Sequence, residues 1–207
     1  MADYFDDARL DDPDILAAAD AVVAPLVERH VADAARDVLR AENAAGESAL
    51  GNLIADAQRA AMGTDFAFMN PGGIREDLRA GPVTWGELFA IQPFGNDLVA
   101  MQLTGDQVRR LLEQQWQGQP FPRILKTSGL EYTWDGARPA GSRVVEIRRG
   151  GVPIDPAATY SVTVNSFLRF GGDNFTVLTE GAGAVVGPVD LDALVAWVAG
   201  LPQPFDP

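Results

Sequence analysis

The chain has 207 residues, 47% of them hydrophobic, which is enough for one good-sized domain or two small ones sharing a core, and too apolar for a disordered polypeptide. Sixteen basic against 29 acidic residues give a net charge of −13, a surface that repels polyanions and argues against a general nucleic-acid binder. There is no cysteine, one lysine (Lys126) and one histidine (His30), which excludes disulfides, thiolate metal sites, a Cys nucleophile and His-rich metal motifs.

No apolar run approaches the roughly 18–20 residues of a transmembrane helix. The N-terminus, MADYFDDARLDD, is acidic where a secretory signal would be basic and then apolar, so no signal peptide is expected in this chain. Residues 1–12 are polar and expected to fray. Asp12-Pro13 reads as a helix cap followed by proline at the first helical position. Ile15, Ala19, Val22, Leu26, Ala34 and Val38 then recur at helical spacing to about Arg40, and Pro25 should kink or split the pattern. His30 lies on the same stripe, where a lone histidine is more often packed or half-buried than a ligand.

A second helix is expected from about Ser48 to Ala61, stopped by Gly63. A short buried strand, Phe66–Met69, follows and ends at Asn70-Pro71-Gly72-Gly73-Ile74-Arg75. Thr84 with Glu87 forms a capping box for a short helix to Ile91, and Thr104 with Gln107 forms another for a helix from Asp106 to Trp116. Between them lie a loop, Gln92 to Asn96, and an alternating strand, Asp97 to Leu103; Gln117 to Pro122 is a loop. The later part reads as strand-rich: Leu130–Trp134, Arg143–Arg149, a Gly150-Gly151 hairpin turn into Val152–Ile154, and Tyr160–Val164. After a loop rich in Gly and Asn come Phe175–Leu178 and a closing helix capped by Asp190 and running to Ala199. Early helices and late strands without regular alternation indicate an α+β class with a mixed β-sheet and flanking helices.

Three loops could carry chemistry. In the first, Gly72 and Gly73 would permit positive φ angles and close backbone approach, Asn70 offers donors and an acceptor, and Arg75 offers a planar fork for phosphate, carboxylate or a sugar oxygen. A plain tight turn with Arg75 paired to Glu76 or Asp77 fits equally. In the second, Phe94 between Pro93 and Gly95 is either a stacking surface for a planar ring or a loop anchor plugged into the core. In the third, Asn165 to Phe175, Asp173 could accept hydrogen bonds from a vicinal diol. The same letters also describe a Gly-Gly-Asp turn with Phe170 and Phe175 in the core. Neither glycine pair belongs to a phosphate-loop or dinucleotide fingerprint.

The order of these segments is more specific than any one of them. ESALGNLIADA (Glu47 to Ala57), NPGGIR (Asn70 to Arg75), TWGELFAIQPFGN (Thr84 to Asn96) and NSFLRFGGDNF (Asn165 to Phe175) together resemble the C-terminal, substrate-binding domain of the 5′-nucleotidase and UDP-sugar hydrolase family. The resemblance covers about Ala41 to Leu178. It implies one such domain over 41–200, preceded by a connector helix region over 13–40 and followed by a tail, 201–207. It further implies that Phe94 and Phe167 sandwich a base and that Asp173 binds the ribose hydroxyls. Asn70 and Arg75 would contact the sugar and phosphate side, with Gly72 and Gly73 letting the loop approach. The family's two divalent metals and catalytic His belong to an N-terminal metallophosphoesterase domain whose motifs are absent here. This chain is therefore expected to bind a nucleoside or nucleotide without turning it over, beside a catalytic domain in the same full-length chain or a separate one. No cofactor, polymeric nucleic acid or membrane is expected as its own partner. The family implies an extracellular or periplasmic setting. A stand-alone nucleoside- or sugar-binding module is the alternative. Two departures stand out: Pro71 occupies a position that is commonly Gly, and Gly46 stands where an Arg commonly precedes the acid at Glu47.

Overall fold

The computed structural model describes residues 13–207; the expectations for residues 1–12, including Asp12 as a cap, lie outside the described residues. Helix α1 (Pro13–Val27) is followed by strand β1 (His30–Ala34), which pairs antiparallel with β3 (Gly81–Thr84). The expected helix to Arg40 is therefore corrected: Pro25 falls in the last turn, and the chain leaves the helix there. β1 carries two small buried residues, Ala32 and Ala34, at the two-residue spacing of a strand; Ala34 alone lies on the helical stripe read from the sequence. The partner that makes it a strand lies some fifty residues on. His30 is not packed; its side chain is 56% exposed and lies 3.3 Å from the Asp33 carboxylate.

Helix α2 (Ala49–Met62) begins where expected, because the Ser48 hydroxyl accepts the Gly51 N–H, and it stops at left-handed Gly63 (φ 63°). Both capping boxes form, on α3 (Trp85–Ile91) and α4 (Gly105–Glu113). The principal sheet has the order β10-β4-β9-β2-β5, built from β2 (Phe66–Met69), β4 (Asp97–Thr104), β5 (Lys126–Ser128), β9 (Thr159–Asn165) and β10 (Ala182–Val189). Only β2 and β9 run parallel, so the sheet is mixed. A second sheet joins β6 (Glu131–Trp134), β7 (Val144–Arg149) and β8 (Val152–Pro153), the last two linked by the Gly150-Gly151 turn with both residues at positive φ. The chain closes with α6 (Asp190–Gly200).

Both faces of the principal sheet are covered, which is why β2 is apolar at every position. Phe66 and Phe68 enter one core with Met101, Leu103, Val162, Val164 and helix α4. Met69, pointing the other way, joins a core with Leu50, Leu53 and Ile54 of α2, Leu88 and Ile91 of α3, and Leu191, Leu194 and Val198 of α6. Residues 201–207 pack into the second core through Phe205, which bridges Ala34. Three expectations need correction. Residues Thr176–Glu180 form a 3-10 turn in place of a further extended segment, and α4 ends at Glu113, short of Trp116. Strands β3, β5 and β10 carry no alternation strong enough to announce them. Asp190 is the first residue of α6, with Val189 as its cap.

Topology positions the site. β2 ends at Met69 and its parallel neighbour β9 ends at Asn165, so both chains leave the sheet on the same side. β4 is antiparallel to β9, with Leu98 opposite Asn165, so the loop that enters β4 arrives at that same end. Three loops distant in sequence thus meet at one end of the sheet, beyond the carboxyl ends of its central strands β2 and β9, the place where ligands bind in many open sheets.

Candidate functional site

At that end of the sheet lies a cleft of about 530 Å³ lined by Asn70, Gly72, Gly73, Arg75, Phe94, Asn96, Asn165, Phe167 and Asp173. The seven residues singled out from the sequence all border it. Asn96 and Asn165, which stand inside the quoted motifs, also line it and were not among the seven.

The floor is a relay of amides. Asn165, at the last position of β9, caps the short helix α5 (Ser166–Arg169) by accepting the Leu168 N–H. Its Nδ2 donates to Asn70 Oδ1 at 3.0 Å, and Asn70 Nδ2 donates in turn to Asp173 Oδ2 at 3.0 Å. Every link fixes the orientation of the next amide, and both asparagines are buried. Two loops, Asn70 to Arg75 and Asn165 to Phe175, are thereby stitched together beneath the cleft.

The glycine pair works differently from the sequence expectation. Pro71–Gly73 is a 3-10 turn, and neither Gly72 nor Gly73 has positive φ. Space is what limits a side chain at 73, where a Cβ would stand 2.5 Å from Met69 Cε and 3.1 Å from Asn70 Oδ1, so that the tip of the buried Met69 side chain would have to shift. At 72 it would stand 3.7 Å from both Asn70 Nδ2 and Asp173 Oδ2, on the cleft floor. Pro71 fits the first position of this turn, where no N–H is required.

Arg75 extends over the Phe94 ring, 5.9 Å from its centroid, and Nη1 lies 3.4 Å from the Gly72 carbonyl. Asp77, one suggested partner, is engaged by Arg40 and Arg79. The Arg75 fork therefore faces the cleft. Phe94 is 57% exposed and Phe167 is 45% exposed, so neither is a core anchor. The alternative that placed Phe170 in the core is also overturned, since that ring is 82% exposed; Phe175 is fully buried.

Asp173 sits at φ 53°, ψ 24°, and Asn174 at φ 64°, a left-handed pair tolerated by their short polar side chains. Arg123 reaches Asp173 Oδ1 at 3.5 Å, and Gln119 Nε2 donates to the Asp173 carbonyl at 2.7 Å. These two residues belong to a segment with no motif signal, and nothing in the sequence marks it. On the other side, Asn96 Oδ1 accepts from Ser166 Oγ at 3.3 Å and its Nδ2 donates to Asp190 Oδ2 at 3.3 Å. Burial pushes the Asp190 carboxyl up to about 6, against the Asn96 and Leu191 hydrogen bonds that pull it down.

Among the described residues no group of three or more His, Cys, Asp or Glu side chains could hold a metal ion. The donors of this cleft are amides, one guanidinium and one carboxylate, a set suited to hydroxyls, phosphate oxygens and ring faces and unsuited to metal binding.

The chain is 39% identical over 209 residues to Endonuclease YhcR of Bacillus subtilis, covering 98% of this chain and 17% of that protein. It is 39% identical over 152 residues to Cell wall protein Lmo0130 of Listeria monocytogenes, covering 65% of this chain and 19% of that protein. The crystal structure of a 5′-nucleotidase precursor from Thermus thermophilus superposes with a TM-score of 0.79 at 38% identity, over 90% of this chain and 39% of that one. The chain thus spans less than a fifth of those two curated relatives. Residues 24–180 match the family model for the 5′-nucleotidase C-terminal domain, and the chain belongs to that family.

Proposed function

We propose that this chain is the substrate-recognition domain of a 5′-nucleotidase-like, metal-dependent phosphohydrolase, and that its ligand is a nucleoside or nucleotide. The observation that carries this reading is the convergence of two exposed rings, an arginine and a fixed carboxylate on one cleft. Phe94 and Phe167 take the faces of the base, an interaction worth roughly 1–3 kcal/mol per ring. Asp173 accepts hydrogen bonds from the ribose hydroxyls. Asn70 and Arg75 lie on the sugar and phosphate side, and the absence of side chains at Gly72 and Gly73 leaves room for the ligand there.

The chain's own chemistry in this scheme is to bind and orient. Two divalent metals, held by a metallophosphoesterase domain in the same full-length chain or a separate one, would supply the activated water. No ligand set for them exists among the described residues, so no hydrolytic step is assigned to this chain. A setting outside the cytoplasm, in the periplasm or beyond the cell membrane, agrees with the cell wall protein among the relatives. The charge of −13 argues against polymeric nucleic acid as the ligand.

Calorimetric titration of the 207-residue chain with adenosine and AMP tests the reading. Saturable heat is expected with both, weakened in Phe94→Ala and Phe167→Ala. No heat with any nucleoside, and heat with a free sugar, would select the stand-alone sugar-binding module; no heat with either would leave only the fold.

A further inference from the structure

We infer that Arg123, acting with Gln119, is the positioning residue that makes Asp173 selective for sugar hydroxyls. The inference rests on the reading of Asp173 as the ribose acceptor.

Asp173 and Asn174 are consecutive non-glycine residues in the left-handed region, a conformation that persists only where neighbours hold it. One segment, residues 118–123, supplies that hold. Asn174 Nδ2 donates to the Gly118 carbonyl at 3.0 Å, and Gln119 Nε2 donates to the Asp173 carbonyl at 2.7 Å. Arg123 Nη1 donates to Gln119 Oε1 at 2.5 Å, which fixes the Gln119 amide with its donor end towards Asp173. The Arg123 guanidinium is itself seated on the Phe121 ring, 4.6 Å from its centroid.

The carboxylate is gripped from both sides. Arg123 Nε lies 3.5 Å from Oδ1, and Asn70 Nδ2 donates to Oδ2 at 3.0 Å. Each oxygen has a second lone pair, so a carboxylate held in this plane can still accept one hydroxyl at each oxygen. Without Arg123, the carboxylate keeps only the Asn70 bond and can turn about it. A freely turning acid must first be ordered before it can hold two hydroxyls at once, so affinity for a diol falls while stacking is spared. Arg123 does not line the cleft, and Phe94 belongs to another loop, so the effect falls on the sugar more than on the base.

The test is calorimetry of the 207-residue chain with adenosine and 2′,3′-dideoxyadenosine. The wild type is expected to prefer adenosine by about ten-fold or more, given what hydrogen bonds to a charged acceptor are worth. In Arg123→Met that ratio falls towards one because adenosine weakens, while dideoxyadenosine moves far less. Gln119→Ala removes the relay without touching the charge and is expected to lower the ratio in the same direction; it carries the test if Arg123→Met fails to fold. If the wild type shows the preference and both folded variants retain it, Arg123 does not position Asp173 and the inference fails alone. It fails likewise if both ligands weaken equally in the variants, the mark of a merely structural role. No preference in the wild type overturns the ribose reading of Asp173 and this inference with it.

Discussion

Gly172 lies directly beneath the Phe167 ring: a Cβ at 172 would stand 2.5 Å from Phe167 Cε1 and 2.6 Å from both Cζ and the Phe167 carbonyl oxygen. The glycine is therefore part of the aromatic site, since it seats the ring one residue before Asp173. Rotating the ring away would relieve two of those contacts and leave the third, which is backbone. Gly172→Ala is expected to cost about 1–3 kcal/mol of stability by overpacking. It should also weaken adenosine binding about ten-fold or more, because ring and acid move together. Urea unfolding and calorimetry on one preparation check both. A variant with unchanged stability would mean the loop simply opens.

The rings themselves make a cleaner case. Phe94 and Phe167 are about half exposed, so alanine at either should change stability by no more than about 0.5 kcal/mol. Binding should fall by the stacking energy, roughly 1–3 kcal/mol, or about 5- to 150-fold in Kd. Tyrosine keeps the face and is expected to restore most of the affinity at either position. Equal binding by the alanine variants would exclude the sandwich.

Much of this site could be read from the letters because its residues are clustered in contiguous motifs. Asn70 to Arg75, Phe94 and Asn165 to Asp173 sit in turns whose glycines and aromatics have few other uses. Both capping boxes were equally legible, since a Thr three residues before a Glu or Gln is local chemistry. What stayed hidden is non-local. Strand β1 is decided by its partner β3, and β10 has the composition AGAVVGPV, which alternates nothing. Arg123 and Gln119 matter only because the Asp173 loop folds against them. Gly73 was legible as a favoured glycine, but not for its φ: a Cβ there would crowd the tip of Met69, and no positive φ is involved.

Gly46 shows how an apparent loss can be built into the backbone. It stands where the family resemblance leads one to expect an arginine; its φ is +88°, and a Cβ there would stand only 2.6 Å from Ile124 Cγ2. The neighbouring Lys126 is buried and donates to both Glu42 and the Gly46 carbonyl, which fixes that turn. Gly46→Arg is therefore expected to destabilise by about 2–4 kcal/mol, from the left-handed conformation together with overpacking. It should leave the AMP-to-adenosine affinity ratio unchanged. A stable variant with tighter AMP binding would show that the missing cation can simply be put back.

Asp190 gives the fold a pH dependence of definite sign. Its carboxyl is buried behind Asn96 and pushed up to about 6, above the ordinary aspartate value near 4 of the unfolded chain. The folded state therefore holds this proton more tightly, and between about pH 4 and 6 it binds more protons at this group than the unfolded state does. Its contribution to stability falls as pH rises through that window, is fully present below it, and is lost above it. Asp190→Asn removes the titration while keeping the shape and an acceptor for the Leu191 N–H. Other acids titrate in the same range, so the informative quantity is the difference between wild type and variant, in which distant groups cancel. That difference should move in favour of the wild type by about 2 kcal/mol as pH is lowered from about 7 to about 4, once residual screening by water is allowed for. Urea midpoints at half-unit pH intervals measure it. Parallel curves for the two proteins would mean that Asp190 is hydrated, and that the Asn96 wall of the cleft is more open than its hydrogen bonds imply.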